Sequence, residues 1–484
     1  MEEIIHYFDE NPLPFSYMTF PYLEDPARPR HPTHLFFVNN VIAELTARFF
    51  NRSGLPHTEN KRKWNISWGQ QFDPPGYQKC AAWQKINHFA GAYFIGKKSE
   101  LHNRMKELKE KIGSDVDFYP LSYTTPDDLD ELKKKWKDVK LWIEKPVSSS
   151  KGIGIKIVSS SESDPPSKGD PEKYVVQQYI EKPLLINNRH KFDIRLYALV
   201  TSIAPLRIYL HEYGLARFAT HEYNSDINDL HSQLTNISIN REDSNFSVQQ
   251  QKLSLQQLYE MLEKDGIDTS KLKSEFDRIT TSCLVAAASK IRPYHQSLIK
   301  HRQTSFELFG LDVLVDENLH CWVMEVNISP SMSGKDSELD RIQKNAIMAE
   351  MYNIGKIINC DPNSENPCEA VELYDAEWRN SIVSIDRSKE TPWDWKEPIF
   401  ADMVNVGDFI DERKQLRKFR RLFPKRKTID YFEKFFGKMG YLDRSFIEWI
   451  KMSNDKRLDA IKRGGNVYTQ TLKMIESKLL ESKT

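Results

Sequence analysis

Glu325 and Asn327 interrupt the apolar run "WVMEVNISPS" at 322–331. Such a run reads as a buried strand, where a bare carboxylate is costly unless it is paired or bound to a metal. Strand alternation puts Glu325 and Asn327 on one face and Met324 and Val326 on the other. Upstream, "ELFGLDVLVD" and a tight "ENL" make a hairpin with this strand. With Asp316 opposite Leu319, Asp312 falls opposite Val323 and faces the same side as Glu325 and Asn327. Two carboxylates and an amide oxygen are hard donors that suit Mg²⁺, with water and phosphate completing an octahedron. A carboxylate pair neutralised by nearby lysines is the alternative.

Two further stretches carry charge in a pattern. In "EKPVSSSKGIGIKIV" a strand ends at Lys145-Pro146, small residues follow, and Lys151-Gly152 lead into the next strand. Small residues let backbone N–H groups approach phosphate oxygens, and lysines neutralise them. The loop lacks the G-K-[ST] and following helix of a Walker A motif, and it is not the Rossmann fingerprint. A plain hairpin turn would look the same. In "HKFDIRLYALV", Lys191, Asp193 and Arg195 share one strand face, and Phe192, Ile194 and Leu196 share the other. Arg217 follows in "LHEYGLARF". Cations on adjacent strands suit a floor that holds anions, although a solvated sheet face gives the same alternation. A small-residue loop, basic strands and a metal-binding hairpin together suit two lobes closing on Mg·ATP.

The elements that must position these groups are legible in outline. The chain has 484 residues, 39% hydrophobic and 11% aromatic, enough for two or three cooperating lobes. Its 69 basic and 69 acidic side chains cancel, though not evenly along the sequence. A helical segment is expected near 38–50. Polar helices are expected at "LHNRMKELKEKIG" and "DDLDELKKKWKDV", with strands at "LWIEKP", "GIGIKIV" and "YVVQQYI". The stretch "SSSESDPPSKGDPE" reads as a loop. "KFDIRLYALV" and "PLRIYLHEYGLA" are strands, and Leu272, Phe276, Ile279 and Cys283 mark one apolar helix face. The class expected is α+β rather than a doubly wound sheet. Five scattered cysteines without a C-x-x-C pair read as reduced thiols. No apolar run approaches the ~18 residues of a membrane span. With an acidic N-terminus lacking a leader pattern, a soluble intracellular chain is expected.

Lys145-Pro with Lys151-Gly-x-Gly-Ile, then "VVQQYIEKP", "KFDIR", "LTN", "ELFGLD" and "EVNISPS", occur in order over roughly residues 60–360. This series resembles the tubulin tyrosine ligase-like family of ATP-grasp ligases. "NHFAGAYFIGKK", "APLRIYL" and "GLARFAT" are most like the polyglutamylase branch, and within it the type four, chain-initiating members. The resemblance implies an ATP-grasp fold with an N-terminal domain at 1–84, a central lobe at 85–190, a C-terminal lobe with the metal site at 191–360, and a basic extension at 361–484. It implies ATP-binding roles for Lys85, Lys145, Lys151, Gly152, Gln177, Gln178, Tyr179, Ile180, Lys191, Asp193, Thr235 and Asn236. Arg217, Ser238, Lys252 and Lys344 match positions that bind the incoming glutamate. Arg195 and Arg217 match basic groups at the reacting centre, and Asp312, Glu325 and Asn327 match the metal ligands.

The activity implied is ATP-dependent addition of free L-glutamate, through an isopeptide bond, to glutamate side chains in acidic tubulin tails, with Mg²⁺. A glycylase, a tyrosine ligase and a non-catalytic microtubule-binding protein are the alternatives. Two positions depart from the family: Gln233 stands where His-Leu-Thr-Asn has its histidine, and Lys252 lies in "QQKLSL" rather than Gly-x-Lys-Trp. The run "RKQLRKFRRLFPKRK" at 413–427 holds nine Lys or Arg and no acid. It suits an acidic partner such as the microtubule surface, and a solvated basic helix would read the same way. No base-reading module accompanies it, so nucleic acid is not an expected partner. A monomer in the cytoplasm and on the cytoskeleton, at microtubules including those of cilia or centrosomes, is expected.

Overall fold

The computed structural model describes residues 1–482 apart from 150–151, 168, 171, 187–188, 245, 248–250, 384 and 386–394. Three sheets organise these residues. The first is parallel, with β1 (Phe36–Asn39), β2 (His57–Thr58), β3 (Ile66–Gly69) and β4 (Lys85–Ile86) in the order β2-β1-β3-β4. The second is antiparallel, with β5 (Ser122–Thr124), β6 (Leu141–Pro146), β7 (Lys156–Ser159) and β8 (Tyr174–Gln178) in the order β5-β8-β6-β7. The third contains β9 (Leu185–Ile186), β10 (His190–Ile203), β11 (Leu206–Phe218), β12 (Lys252–Ser254), β13 (Glu307–Val315), β14 (Cys321–Asn327) and β15 (Phe419–Phe423). Its path is β12-β11-β10-β13-β14, with β15 added to β11 and β9 to β10.

β10 shows how sequence alternation sets the architecture. Phe192, Ile194, Leu196, Ala198 and Val200 point into the main core, where they meet Leu272, Phe276, Ile279 and Cys283 of the helix Thr269–Leu298. Each large apolar side chain buried there contributes roughly 1.5–3 kcal/mol. The opposite face changes character along its length. Tyr197 and Leu199 join a second core with Ile347, Met348, Met351 and Tyr352 of the helix Glu338–Gly355. Lys191, Asp193 and Arg195 carry that face's charge nearer the start of the strand. The apolar half anchors the sheet.

Three local expectations change. The segment 38–50 is not one helix: β1 runs to Asn39, Asn40 turns the chain at φ 68°, and the helix begins only at Glu44. In "GIGIKIV", Gly152 and Gly154 adopt φ of 84° and 74° within a turn, so the strand starts at Lys156. The basic run 413–427 is not a continuous helix, because residues 419–423 form β15 and pair with β11. Many of its charges are met within the chain: Arg420 and Lys425 by Asp277, Lys418 by Glu212, Lys414 by Asp9. Within "SSSESDPPSKGDPE", Lys168 and Pro171 lie outside the described residues. No helix among the described residues is long and apolar enough to cross a membrane.

The chain beyond 400 is part of the main core. Residues of the helices Phe400–Gln415, Tyr441–Lys451 and Asn454–Glu481 share one apolar cluster with β10 and β11. Asp402 ties them together, accepting hydrogen bonds from Ile399 N at 3.0 Å, Tyr441 Oη at 2.9 Å and Ser445 Oγ. Burial pushes its carboxyl up to about 6, against those hydrogen bonds. A value above that of the unfolded chain, near 3.9, means stability that is full below about pH 4 and is lost as pH rises through 6. Asp402→Asn removes this dependence. Between pH 4 and pH 7 the wild type is expected to lose up to about 3 kcal/mol relative to the variant, read from urea unfolding across that range.

Candidate active site

A cleft opens between the second sheet and the charged half of the third. Ile143 on β6, Ile155 in the turn before β7, and Tyr179 and Ile180 after β8 form one apolar wall; Leu234, Leu314 and Met324 face them. Lys98, Lys145, Lys191, Asp193, Thr235, Asn236, Asp312 and Glu325 form the polar end. The space is about 840 Å³ with its open mouth included. An apolar slot ending in lysines and carboxylates suits a flat ring joined to an anionic tail.

Strand register builds the polar end. Arg195 lies opposite Asp312, and Asp312 opposite Glu325, so three strands set these side chains in one row. The next row runs Asp193, Arg217, Lys252. Arg195 donates to Asp312 from Nε at 2.5 Å and from Nη2 at 2.9 Å. Arg217 donates to Asp193 through Nε and Nη2, both at 2.6 Å, and its Nη2 lies 3.0 Å from Asp312 Oδ2. Thr235 Oγ1 also donates to Asp193, at 2.8 Å. The forked geometry holds both guanidinium groups in fixed orientations.

The hairpin register differs from the expectation that Asp312 faces Val323. Val313 faces Val323, and a bulge between 312 and 313 brings Asp312 directly opposite Glu325. The extra residue is Met324, which the bulge turns into the cleft wall although strict alternation assigns it to the other face. Asn327 faces Gly310 and donates from Nδ2 to Asp312 Oδ2 at 3.4 Å. Asp312, Glu325 and Asn327 therefore do share a face.

The two carboxylates differ. Burial raises the Asp312 pKa, but Arg195 and Arg217 outweigh it and hold the group at about 2. Glu325 is raised by burial and then by Asp312, against Lys98, Lys145 and Arg195. Among the described residues no side chain donates a hydrogen bond to Glu325. A half-buried carboxylate facing a second, ionised one is an arrangement that a hard cation relieves. Among the described residues no group of three or more His, Cys, Asp or Glu is placed to hold an ion. A cation here would take its remaining ligands from solvent or substrate.

The lysines are held by specific partners. Lys145 Nζ donates to Gln177 Oε1 at 2.6 Å, and Gln177 Nε2 to Ser122 Oγ at 2.8 Å. Gln177 thus aims Lys145 rather than lining the cleft, and Gln178 does not line it either. Lys191 Nζ donates to Tyr179 Oη at 2.8 Å and lies 4.4 Å from that ring's centre. Burial lowers Lys145 to about 8 and Lys191 to about 7, and an anion beside them would favour their charged forms. Gln233 accepts from Tyr179 Oη at 2.5 Å and donates to the carbonyls of Asn224 and Asp226. It ties the tyrosine to the loop at 224–226, a job that needs an acceptor and a donor but no ionisable ring.

Other expected positions fall elsewhere. Lys85 does not line the cleft. It pairs with Ile66 in the first sheet, buried within the fields of Arg302, Asp408 and Lys356, and burial lowers it to about 7. Lys98, at the start of the helix Lys98–Ile112, reaches the polar end instead; it closes the quoted stretch "NHFAGAYFIGKK", a signal that the sequence already contained. Lys151 lies outside the described residues. Lys252 and Lys344 converge on Asp340, at 2.8 and 3.4 Å, in a corner beyond Arg217. Ser238 is exposed in the short helix Ile237–Asn240, after Thr235 and Asn236.

A family model described as the tubulin-tyrosine ligase family matches residues 77–367, and the chain belongs to that family. It is 30% identical over 420 residues to a Caenorhabditis briggsae protein named tubulin polyglutamylase ttll-4, covering 81% of this chain and 68% of that protein. It is 30% identical over 466 residues to mouse tubulin monoglutamylase TTLL4, covering 88% and 38%. It is 32% identical over 437 residues to human tubulin polyglutamylase TTLL5, covering 81% and 33%. The chain thus spans about two thirds of the nematode relative and well under half of the two mammalian ones.

Proposed function

We propose that this chain is an ATP-dependent protein–glutamate ligase that adds glutamate to glutamate side chains in acidic tubulin tails, starting chains. The observation that carries this reading is the strip of side chains on one sheet face. It joins the Asp312–Glu325 pair, suited to a metal-bound triphosphate, to Arg217 and Lys252, which with Lys344 from the helix Glu338–Gly355 suit an amino-acid carboxylate. The similarity to named tubulin glutamylases supports it.

In this reading the lobes at 85–190 and 191–360 close on ATP as an ATP-grasp pair. Tyr179 and Ile180 hold the adenine against the apolar wall, Thr235 and Asn236 hold the sugar side, and Lys145, Lys191 and the turn at Gly152 cover the phosphates. Mg²⁺ on Asp312, Glu325 and Asn327 would supply neutralisation of the phosphate charge. The acceptor carboxylate attacks the γ-phosphorus, giving an acylphosphate and ADP. The donor amine attacks the acyl carbon, loses its proton and expels phosphate. Arg195 and Arg217, clamped by Asp312 and Asp193, stabilise the oxyanion and the donor carboxylate in place. Positioning and electrostatics supply the rate, with no covalent enzyme group. The protein would work at the cytoskeleton.

Purified tubulin, ATP and each labelled amino acid test this, with mass spectrometry of the product reporting donor, site and chain length. Glutamate on tail glutamates is expected, and incorporation of glycine or tyrosine alone overturns the assignment. The glycine turn offers a second check. A Cβ at Gly152 would meet Ile239 Cδ1 at 2.5 Å and Asn236 Cγ at 3.2 Å, at φ 84°. The left-handed backbone alone costs about 1–2 kcal/mol for other residues. Gly152→Ala is expected to raise KM for ATP roughly tenfold with little change in KM for glutamate, measured by steady-state kinetics.

A further inference from the structure

The corner holding Lys252 and Lys344 already contains carboxylates of the chain's own. Lys252, almost fully buried on the outer strand β12, donates from Nζ to Asp336 Oδ2 and, at 2.8 Å, to Asp340 Oδ2. Lys344 lies 3.4 Å from Asp340, one turn along the same helix. Arg241 donates to Asp336 from the other side.

The two aspartates are held very differently. Asp340 is fully buried in the first turn of the helix Glu338–Gly355, and its backbone N is capped by Ser337 Oγ at 3.1 Å. It cannot leave without unwinding that turn. Asp336 precedes the cap, at the end of the irregular segment 328–336 that follows Asn327, and its side chain is 18% exposed. This segment turns at Gly334 with φ 59°, and no strand or helix pairing of its own holds Asp336 in place. Among the described residues its carboxylate pairs with Lys252 and Arg241 alone. Those are cations that an incoming dicarboxylic amino acid would also seek.

We infer that Asp336 is a built-in surrogate for a donor carboxylate: it occupies Lys252 and Arg241 while the site is empty, and an incoming amino acid bearing a second carboxylate displaces it. This rests on the corner being the donor subsite. The exchange swaps one carboxylate for another, so the buried ammonium of Lys252 is never left bare, which would be costly. It also selects the donor. Glycine brings no side-chain carboxylate to compete, whereas glutamate does. Because the segment continues directly from Asn327, displacement is linked to the chain leaving the metal-binding hairpin.

A competitor inside the protein lowers apparent affinity by the fraction of time it occupies the site. Asp336→Asn, close in shape but neutral, is therefore expected to lower KM for glutamate about fivefold, well beyond any change in kcat, with KM for ATP unmoved. Hydrogen exchange on the wild-type full chain gives a second reading that needs no variant. With a non-hydrolysable ATP analogue present, adding glutamate is expected to speed exchange in segment 328–337, and adding glycine is not. A raised or unchanged KM for glutamate in a folded Asp336→Asn, or slower exchange in that segment on adding glutamate, overturns the surrogate role and leaves Asp336 as a fixed positioning residue. If wild-type protein neither incorporates glutamate nor shows any exchange response to it, the donor subsite itself is wrong, and the surrogate role falls with it.

Discussion

Glu325→Gln is expected to cut glutamate incorporation into tubulin by at least about a hundredfold while the protein stays folded. A hundredfold loss corresponds to about 2.7 kcal/mol of transition-state stabilisation, modest for removing a charge from a carboxylate pair proposed to hold the metal. The variant is informative because Glu325 has little structural work to do. Among the described residues no side chain donates a hydrogen bond to its carboxylate, and its charge is opposed by burial and by Asp312 across the strand pair. An amide of the same shape relieves that repulsion, so the melting temperature is expected to hold or rise. Binding to microtubules, measured by co-sedimentation, is expected to persist. Ligation within a few-fold of wild type would remove the carboxylate pair from the mechanism.

Asp408→Ala is expected to destabilise the fold by about 3–5 kcal/mol, the usual loss when one member of a buried ion network is deleted. Asp408 is 4% exposed and sits among three cations. Lys356 Nζ is 3.0 Å away, Arg302 donates at 2.5 Å, and Arg207 approaches at 4.0 Å. Burial opposes its charge, but Arg302, Lys356 and Arg207 hold the carboxyl well below the usual carboxylate range. Lys85, which feels Arg302 and Lys356 as opposing charges, loses a stabilising neighbour too. A depressed pKa gives stability that is present above the unfolded value near 3.9 and is lost as pH falls toward the folded one. The gap between wild type and variant in urea unfolding is therefore expected to be widest near pH 7 and to shrink as pH drops below 4. A gap that is small at pH 7 would show that solvent enters this network freely.

The contrast between these two carboxylates marks what the sequence could convey. Glu325 was legible because a charge inside an apolar strand has few explanations and alternation tied it to Asn327. Asp193 and Arg195 were legible for the same reason. Asp408 lies on a helix among other acids, and no local pattern announces that Arg302, Lys356 and Arg207 will gather round it from three other segments. The bulge at Asp312 was equally silent, since an added residue in one strand changes no residue type, and it moved Met324 from the far face into the cleft. Lys98 lies thirteen residues after Lys85 in the same quoted neighbourhood. Choosing between them required knowing which one the first sheet swallows. The strand inside the basic run 413–427 was hidden because its partner, β11, lies two hundred residues away.

That late strand has a practical consequence. β12 covers the outer edge of β11 only at Leu215–Arg217, while residues 419–423 cover it at Ile208–His211. The family match ends at residue 367, which makes truncation there attractive for expression. Such a fragment would carry a raw, unsealed hydrogen-bonding border along Ile208–His211, inviting neighbouring molecules to stitch onto it. Insoluble material from that clone would report a missing hem rather than a mis-drawn catalytic unit.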